Sequence, residues 1–262
     1  MNANVETIFA PQIVLGLSPA VYQPGRVPKK TLVEQAASQT VDATLITRAV
    51  AHATVQAVLR ADNLKIPNYV DEHRRIDDIA VFHVELSDAA SSADTRRLVE
   101  LLHRSMPRPL ILFISSPRDG ESVSLALTHT NLSDSDRATS VIEQSLVVPL
   151  KSIASGALRI DGLNRTDLWA LYRDLIRVVA TEGRPASASL TANEALHLRG
   201  RLTALNGELA VVVRDAKKER SHAGRIRLNN EAKVLRQHIE EAEGALYSPT
   251  SAQRPKALTT NR

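Results

Sequence analysis

The hydrophobic period of this chain changes once, near Ala195, and the change divides it into two kinds of structure. Downstream, Leu198, Leu202, Leu205, Leu209, Val212 and Ala216 alternate spacings of four and three. Leu228, Ala232, Leu235, Ile239, Ala242 and Leu246 repeat the pattern. Such spacing is the seam of a coiled coil. The two series are out of phase, and Ser221-His222-Ala223-Gly224 lies between them. A helical hairpin explains both facts, and we expect one; a single long helix with a local phase shift is the alternative.

Upstream the pattern is that of an α/β body. Pro11, Pro19, Pro24 and Pro28 make residues 1–30 an irregular entry with room for one short helix. A helix is expected to begin at Thr31. A longer one is expected from Thr40 to about Arg60, on the spacing of Leu45, Ile46, Ala49, Val50, Ala53, Ala57 and Val58. Ile79 to Leu86 alternates as a strand. Asp94 is placed to cap a helix through Ser105, and Leu110 to Ser115 reads as a strand buried on both faces. Pro117-Arg118-Asp119-Gly120 signals a tight turn. It returns Ser122 to His129 as an antiparallel partner. A further strand is expected at Val141 to Val148, with Ile142, Gln144, Leu146 and Val148 inward. Asp167 is expected to cap a helix from Leu168 to Thr181. Glu182-Gly183-Arg184-Pro185 ends it.

The expected architecture is therefore a mixed α/β sheet with flanking helices over residues 1–185. A helical coiled-coil extension over 186–247 follows, then a disordered tail over 248–262 rich in Ser, Thr, Pro and basic residues. Aromatic residues are only 3% of the chain, so Leu, Val, Ile and Ala must build the core. There is no cysteine, which removes disulfides, thiol catalysis and thiolate metal sites. The first residues, Met1-Asn2-Ala3-Asn4-Val5-Glu6, lack the basic-then-apolar form of a secretory signal. Apolar runs such as Pro109 to Ile114 are far shorter than the roughly 20 residues a membrane helix needs. These features suit a cytoplasmic protein without a membrane partner.

Several short stretches resemble one bacterial family. They are Arg26-Val27-Pro28-Lys29-Lys30-Thr31-Leu32, Ile66-Pro67-Asn68-Tyr69 with Asp71, and Ile79-Ala80-Val81 leading to the helix Leu98 to His103. Pro107 with Pro109-Leu110-Ile111-Leu112, the strand Val123-Ser124-Leu125-Ala126-Leu127, and Leu228-Asn229 with Glu231, Lys233 and Leu235 fit it too. The family is domain of unknown function 4391, and the resemblance spans most of the chain. It implies a setting beside SNF2-type helicases and DNA methyltransferases in restriction-like and antiphage loci, and these would be the partners. It implies no chemistry and no catalytic residues.

The residues themselves point to binding rather than catalysis. From Glu194 onward there are 13 Lys/Arg against 8 Asp/Glu, a net charge of +5, whereas the preceding residues carry 20 against 21, a net of −1. Arg214, Lys217, Lys218, Arg220, Arg225 and Arg227 cluster at the tip of the expected hairpin and could reach nucleic-acid phosphates. Asp215 and Glu219 are interspersed, and a solvated charged loop is the bland reading. Lys29 and Lys30, between a proline and a helix start, could grip a phosphate or simply cap the helix. Asp71, Glu72, Asp77, Asp78 and Glu85 surround the first strong strand, but the acidic-then-Glu-X-Lys pattern of a metal nuclease is missing. His73, His83, His103 and His129 lack metal-ligand spacing. No glycine pattern forms a nucleotide loop, and Ser115, Ser116 and Ser122 lack the elbow of an acyl hydrolase. No cofactor, metal or catalytic residue is expected. The leading expectation is a non-catalytic accessory subunit of a defence assembly that docks a helicase or methyltransferase and contacts DNA. The alternatives are a divergent metal-dependent nuclease using Asp77, Asp78 and Glu85, and a structural oligomer formed through the coiled coil.

Overall fold

A computed structural model describes residues 10–72, 74–130, 140–187 and 189–247. The chain divides into two units, Met1–Gly183 and Arg184–Arg262. The tail expected at 248–262 lies outside the described residues.

In chain order the first unit contains α1 (Pro11–Leu15), β1 (Tyr22–Arg26), α2 (Lys29–Ala36), α3 (Thr40–Ala49) and β2 (Val50–Arg60). These are followed by α4 (Ala61–Leu64), β3 (Tyr69–Val70), β4 (Arg75–Ile76), β5 (Asp78–Leu86) and α5 (Ser92–Ser105). The unit is completed by β6 (Leu110–Ser116), β7 (Gly120–Thr130), β8 (Ser140–Pro149) and α6 (Leu168–Ala180). Six strands form one mixed sheet in the order β1-β2-β5-β6-β7-β8, and β3 pairs with β4 apart from it. Every neighbour in the large sheet is antiparallel except β5 and β6. That parallel pair is joined by α5, the crossover a parallel connection requires.

Ala80, Phe82 and Val84 of β5 and Leu110, Leu112 and Ile114 of β6 pack in one cluster with Leu32, Ile46, Leu98 and Leu102 of the helices. The residues pointing the other way, Ile79, Val81, Ile111 and Phe113, are also buried. The two central strands thus have no wet face, which explains why β6 reads as a continuous apolar run. Tyr172 of α6 ties its helix to the sheet. Its hydroxyl lies 3.1 Å from the Leu110 carbonyl and 3.0 Å from that of Ala126, and it accepts the Ala126 amide at 3.3 Å.

The helix expected across residues 40–60 ends at Ala49, and residues 50–60 form β2. The spacing of Val50, Ala53, Ala57 and Val58 fits a helix or a strand with bulges. The β-branched Val50, Thr54, Val55 and Val58 favour the strand, and the long ladder to β5 decides it. Register shifts fall between Val50 and His52 and between Val55 and Ala57, so Gln56 occupies a bulge. β1 lay unseen in the proline-rich entry segment; it carries Pro24 and Gly25 and is an edge strand, the place in a sheet that tolerates them. The helix expected to start at Asp94 starts one turn earlier. Ser91 is its N-cap, and Asp94 reaches back to the Ser91 amide at 2.9 Å as the second half of a capping box.

In the second unit α7 (Ala192–Lys218) and α8 (His222–Leu246) pack as a hairpin. The expected seam is the packed one: Val212, Ala232 and Leu235 are buried together, with Leu205, Leu209 and Leu228 against them. Thr191 opens α7 with a capping box to Glu194, and Ser221 caps α8 through the Gly224 amide. Among the described residues no helix is long and apolar enough to cross a membrane.

Candidate functional site

Two features of this fold could carry function. The first is a cleft of about 640 Å³ at the carboxyl ends of β5 and β6, where open α/β sheets place their ligands. Strand register builds it. Glu85 of β5 pairs with Ser115 of β6, and Ser115 pairs with Glu121 of β7, so the three lie in a row across the sheet. His83 sits two residues before Glu85 on β5, on the same face.

The polar groups form a short chain. The Ser115 hydroxyl donates to Glu121 Oε2 at 2.6 Å, and His83 Nε2 lies 2.6 Å from the same hydroxyl oxygen. A serine hydroxyl carries one proton. With that proton on the bond to Glu121, the imidazole Nε2 carries its own proton and donates. This reverses the serine-hydrolase arrangement, in which the imidazole receives the hydroxyl proton. Burial pushes the His83 pKa below the ordinary value, against the pull of the Glu85 charge. Burial pushes Glu121 up; the Ser115 hydrogen bond opposes this, and the Glu85 charge adds to it. Burial in the cleft therefore disfavours the charged form of His83, which sits beside the carboxyl oxygens of Glu85 and Glu121.

Two amides complete the lining. Gln56, at the bulge of β2, is 6% exposed, and its Oε1 has no hydrogen-bond partner among the described residues. Gln12 Oε1 is likewise buried without a partner among the described residues. Tyr22, Leu86, Ser116 and Pro117 make up further walls. Sequence reading singled out His83, Glu85 and Ser115 only separately and missed Glu121, Gln56 and Gln12. The turn at 117–120 was the usable signal, since a tight reversal there brings Glu121 opposite Ser115.

The second feature is the hairpin tip. Arg214, Lys217 and Lys218 end α7, Arg220 lies in the turn, and Arg225 and Arg227 begin α8; all six are exposed. Arg214 contacts Asp215 at 3.4 Å. Glu219, the other acid of the tip, accepts the Ser221 amide at 2.8 Å, so it serves the turn. The structure thus brings the six predicted cations into one place.

Lys29 and Lys30 begin α2 in the first unit, and both ammonium groups have local partners. Lys29 Nζ donates to the Thr47 carbonyl at 3.3 Å, and Lys30 pairs with Glu34 at 3.8 Å. The carboxylates weighed for a nuclease are not gathered. Asp78 starts β5 and binds Arg108 at 2.8 Å, Asp77 binds Arg75 at 2.7 Å, and Glu85 sits near the far end of the same strand. Seven residues of strand span roughly 23 Å. Among the described residues no group of three or more His, Asp or Glu is disposed to hold a metal ion. His103 is buried on α5 against Ser124 Oγ at 2.9 Å, and burial alone pushes it down to about 3. His73 lies outside the described residues, and His129 falls near the end of β7.

No curated protein and no solved structure gives a significant match to the chain. One family model matches residues 17–239, which takes in the whole sheet, the cleft's Glu85, Ser115 and Glu121, and the hairpin tip. The chain belongs to that family, described as domain of unknown function 4391.

Proposed function

We propose that this chain is a non-catalytic accessory subunit of a bacterial restriction-like or antiphage assembly, and that its helical hairpin contacts nucleic-acid phosphates. The observation that carries the reading is the tip itself. Six exposed cations stand on one turn and the two helix ends beside it. Lys217, Lys218, Arg220, Arg225 and Arg227 form no ion pair with any described residue. Cations so placed bind phosphate by displacing condensed counterions, without reading sequence. The tip carries no aromatic side chain, so stacking on bases is not part of the proposal. The family resemblance supplies the setting. In it the α/β body docks a helicase or methyltransferase subunit. The coiled-coil seam packs α7 against α8 within one chain.

The test is binding of the full chain to duplex and single-stranded DNA over a salt series. With the tip engaged, log K should fall steeply with log salt. Neutralising Lys217 and Lys218 to Gln should lower that slope by about 2 on duplex. Equal slopes for both proteins would remove the tip from nucleic-acid contact.

A further inference from the structure

We propose that the cleft at the ends of β5 and β6 binds a guanidinium group, through Glu85, Glu121 and the buried amide of Gln56. The inference is independent of the hairpin's role. Its first support is charge. Among the described residues the cleft is lined by two glutamates and by no lysine or arginine. Burial disfavours the charged form of its one histidine.

The second support is an unmet valence. Gln56 is buried to 6% exposure, lines the cleft, and leaves Oε1 without a partner among the described residues. Buried polar groups are nearly always paired, so an unpaired one at a cleft asks for a ligand. The bulge that carries Gln56 is the device by which a strand re-aims one side chain. Gln12 adds a second buried acceptor in the same wall.

These groups share one polarity. Glu85, Glu121, Gln56 Oε1 and Gln12 Oε1 all accept hydrogen bonds. The internal proton of Ser115 is already given to Glu121. The complementary ligand must be cationic and rich in N–H donors. A bare metal ion fits less well, because no three ligating side chains among the described residues are disposed to hold one. A guanidinium offers five donors in a planar fork, enough to serve two carboxylates and an amide together. The cleft's volume of about 640 Å³ lies within the range of small-ligand sites. The group could arrive on a free guanidino compound or on an arginine of a partner polypeptide.

The experiment is calorimetric titration of the full chain with agmatine, L-arginine, and the capped peptide acetyl-Gly-Arg-Gly-amide. The same peptide with citrulline is the neutral isostere. The His83 ring protons are followed by NMR in parallel. Guanidinium probes should bind at least tenfold more tightly than the citrulline peptide and shift the His83 resonances. Glu85→Gln and Glu121→Gln should each weaken binding tenfold or more, with circular dichroism confirming the fold. Binding of agmatine and arginine would assign a small-molecule ligand, and binding of the capped peptide alone would assign a partner's arginine. Equal binding of citrulline, or no binding and no His83 shift with any probe at 10 mM, overturns the proposal even if both variants misfold.

Discussion

The sheet body and the helical hairpin bury side chains in opposite ways. In the body β5 and β6 are covered on both faces, and even polar groups such as His103 and Ser124 are enclosed and bonded to each other. Apart from Ala192, Ala195 and Leu196 near the start of α7, the buried side chains of the hairpin lie along one seam, and most of the rest of α7 and α8 is exposed. The body can therefore hold charges and protons in unusual states, because burial takes these groups out of solvent. The hairpin cannot, and its cations act only as solvated point charges. The two proposals above rest on this difference, fixed acceptors for the cleft and salt-dependent attraction for the tip.

Matched truncations should break or sharpen this comparison most strongly. Leu112→Ala in β6 removes a side chain with no exposed surface from the main cluster, and should cost about 2–5 kcal/mol. Leu235→Ala in the seam, 9% exposed and lined on one side only, should cost clearly less. Urea unfolding of the full chain, followed separately in each unit, would read both; equal losses would mean that the hairpin core is packed as tightly as the sheet.

An effect of similar size, spread over several pH units, is expected from acid. His103 is buried neutral, with its folded pKa pushed down to about 3 from an ordinary 6.5. Protonation therefore favours the unfolded chain. Stability from this group is complete above pH 6.5 and falls as pH drops towards about 3, by up to tenfold in the folding equilibrium per pH unit. His103→Gln should flatten that part of the pH profile, and an unchanged profile would show that His103 is not a buried neutral group.

The smallest expected effect concerns the two capping boxes. Ser91→Ala and Thr191→Ala each remove an N-cap hydroxyl and should cost about 1 kcal/mol. The Thr191 loss should be confined to the hairpin. Amide exchange would separate them, with Ser91→Ala loosening α5 and Thr191→Ala the first turns of α7.

What could be read in the sequence followed the same division. The hairpin was legible because a heptad is a local, repeated signal, and a two-residue phase slip locates the turn. β5, β6 and β7 were legible from alternation and from the Asp119-Gly120 turn. Residues 50–60 were not. Their apolar spacing fits two periods, and only the pairing with β5, distant in sequence, selects the strand. The cleft was illegible for a related reason. Glu85, Ser115 and Glu121 are neighbours only through cross-strand register, and Gln56 joins them only because β2 bulges.

The hairpin has one more consequence, which is mechanical. A helix of 27 residues extends about 40 Å at 1.5 Å per residue, so α7 holds the basic turn roughly that far from its own first residue. Rotation of its base by about 10° would sweep the turn through about 7 Å, the distance of two base-pair steps. A small turn at one end of the hairpin is thus a large displacement at the other.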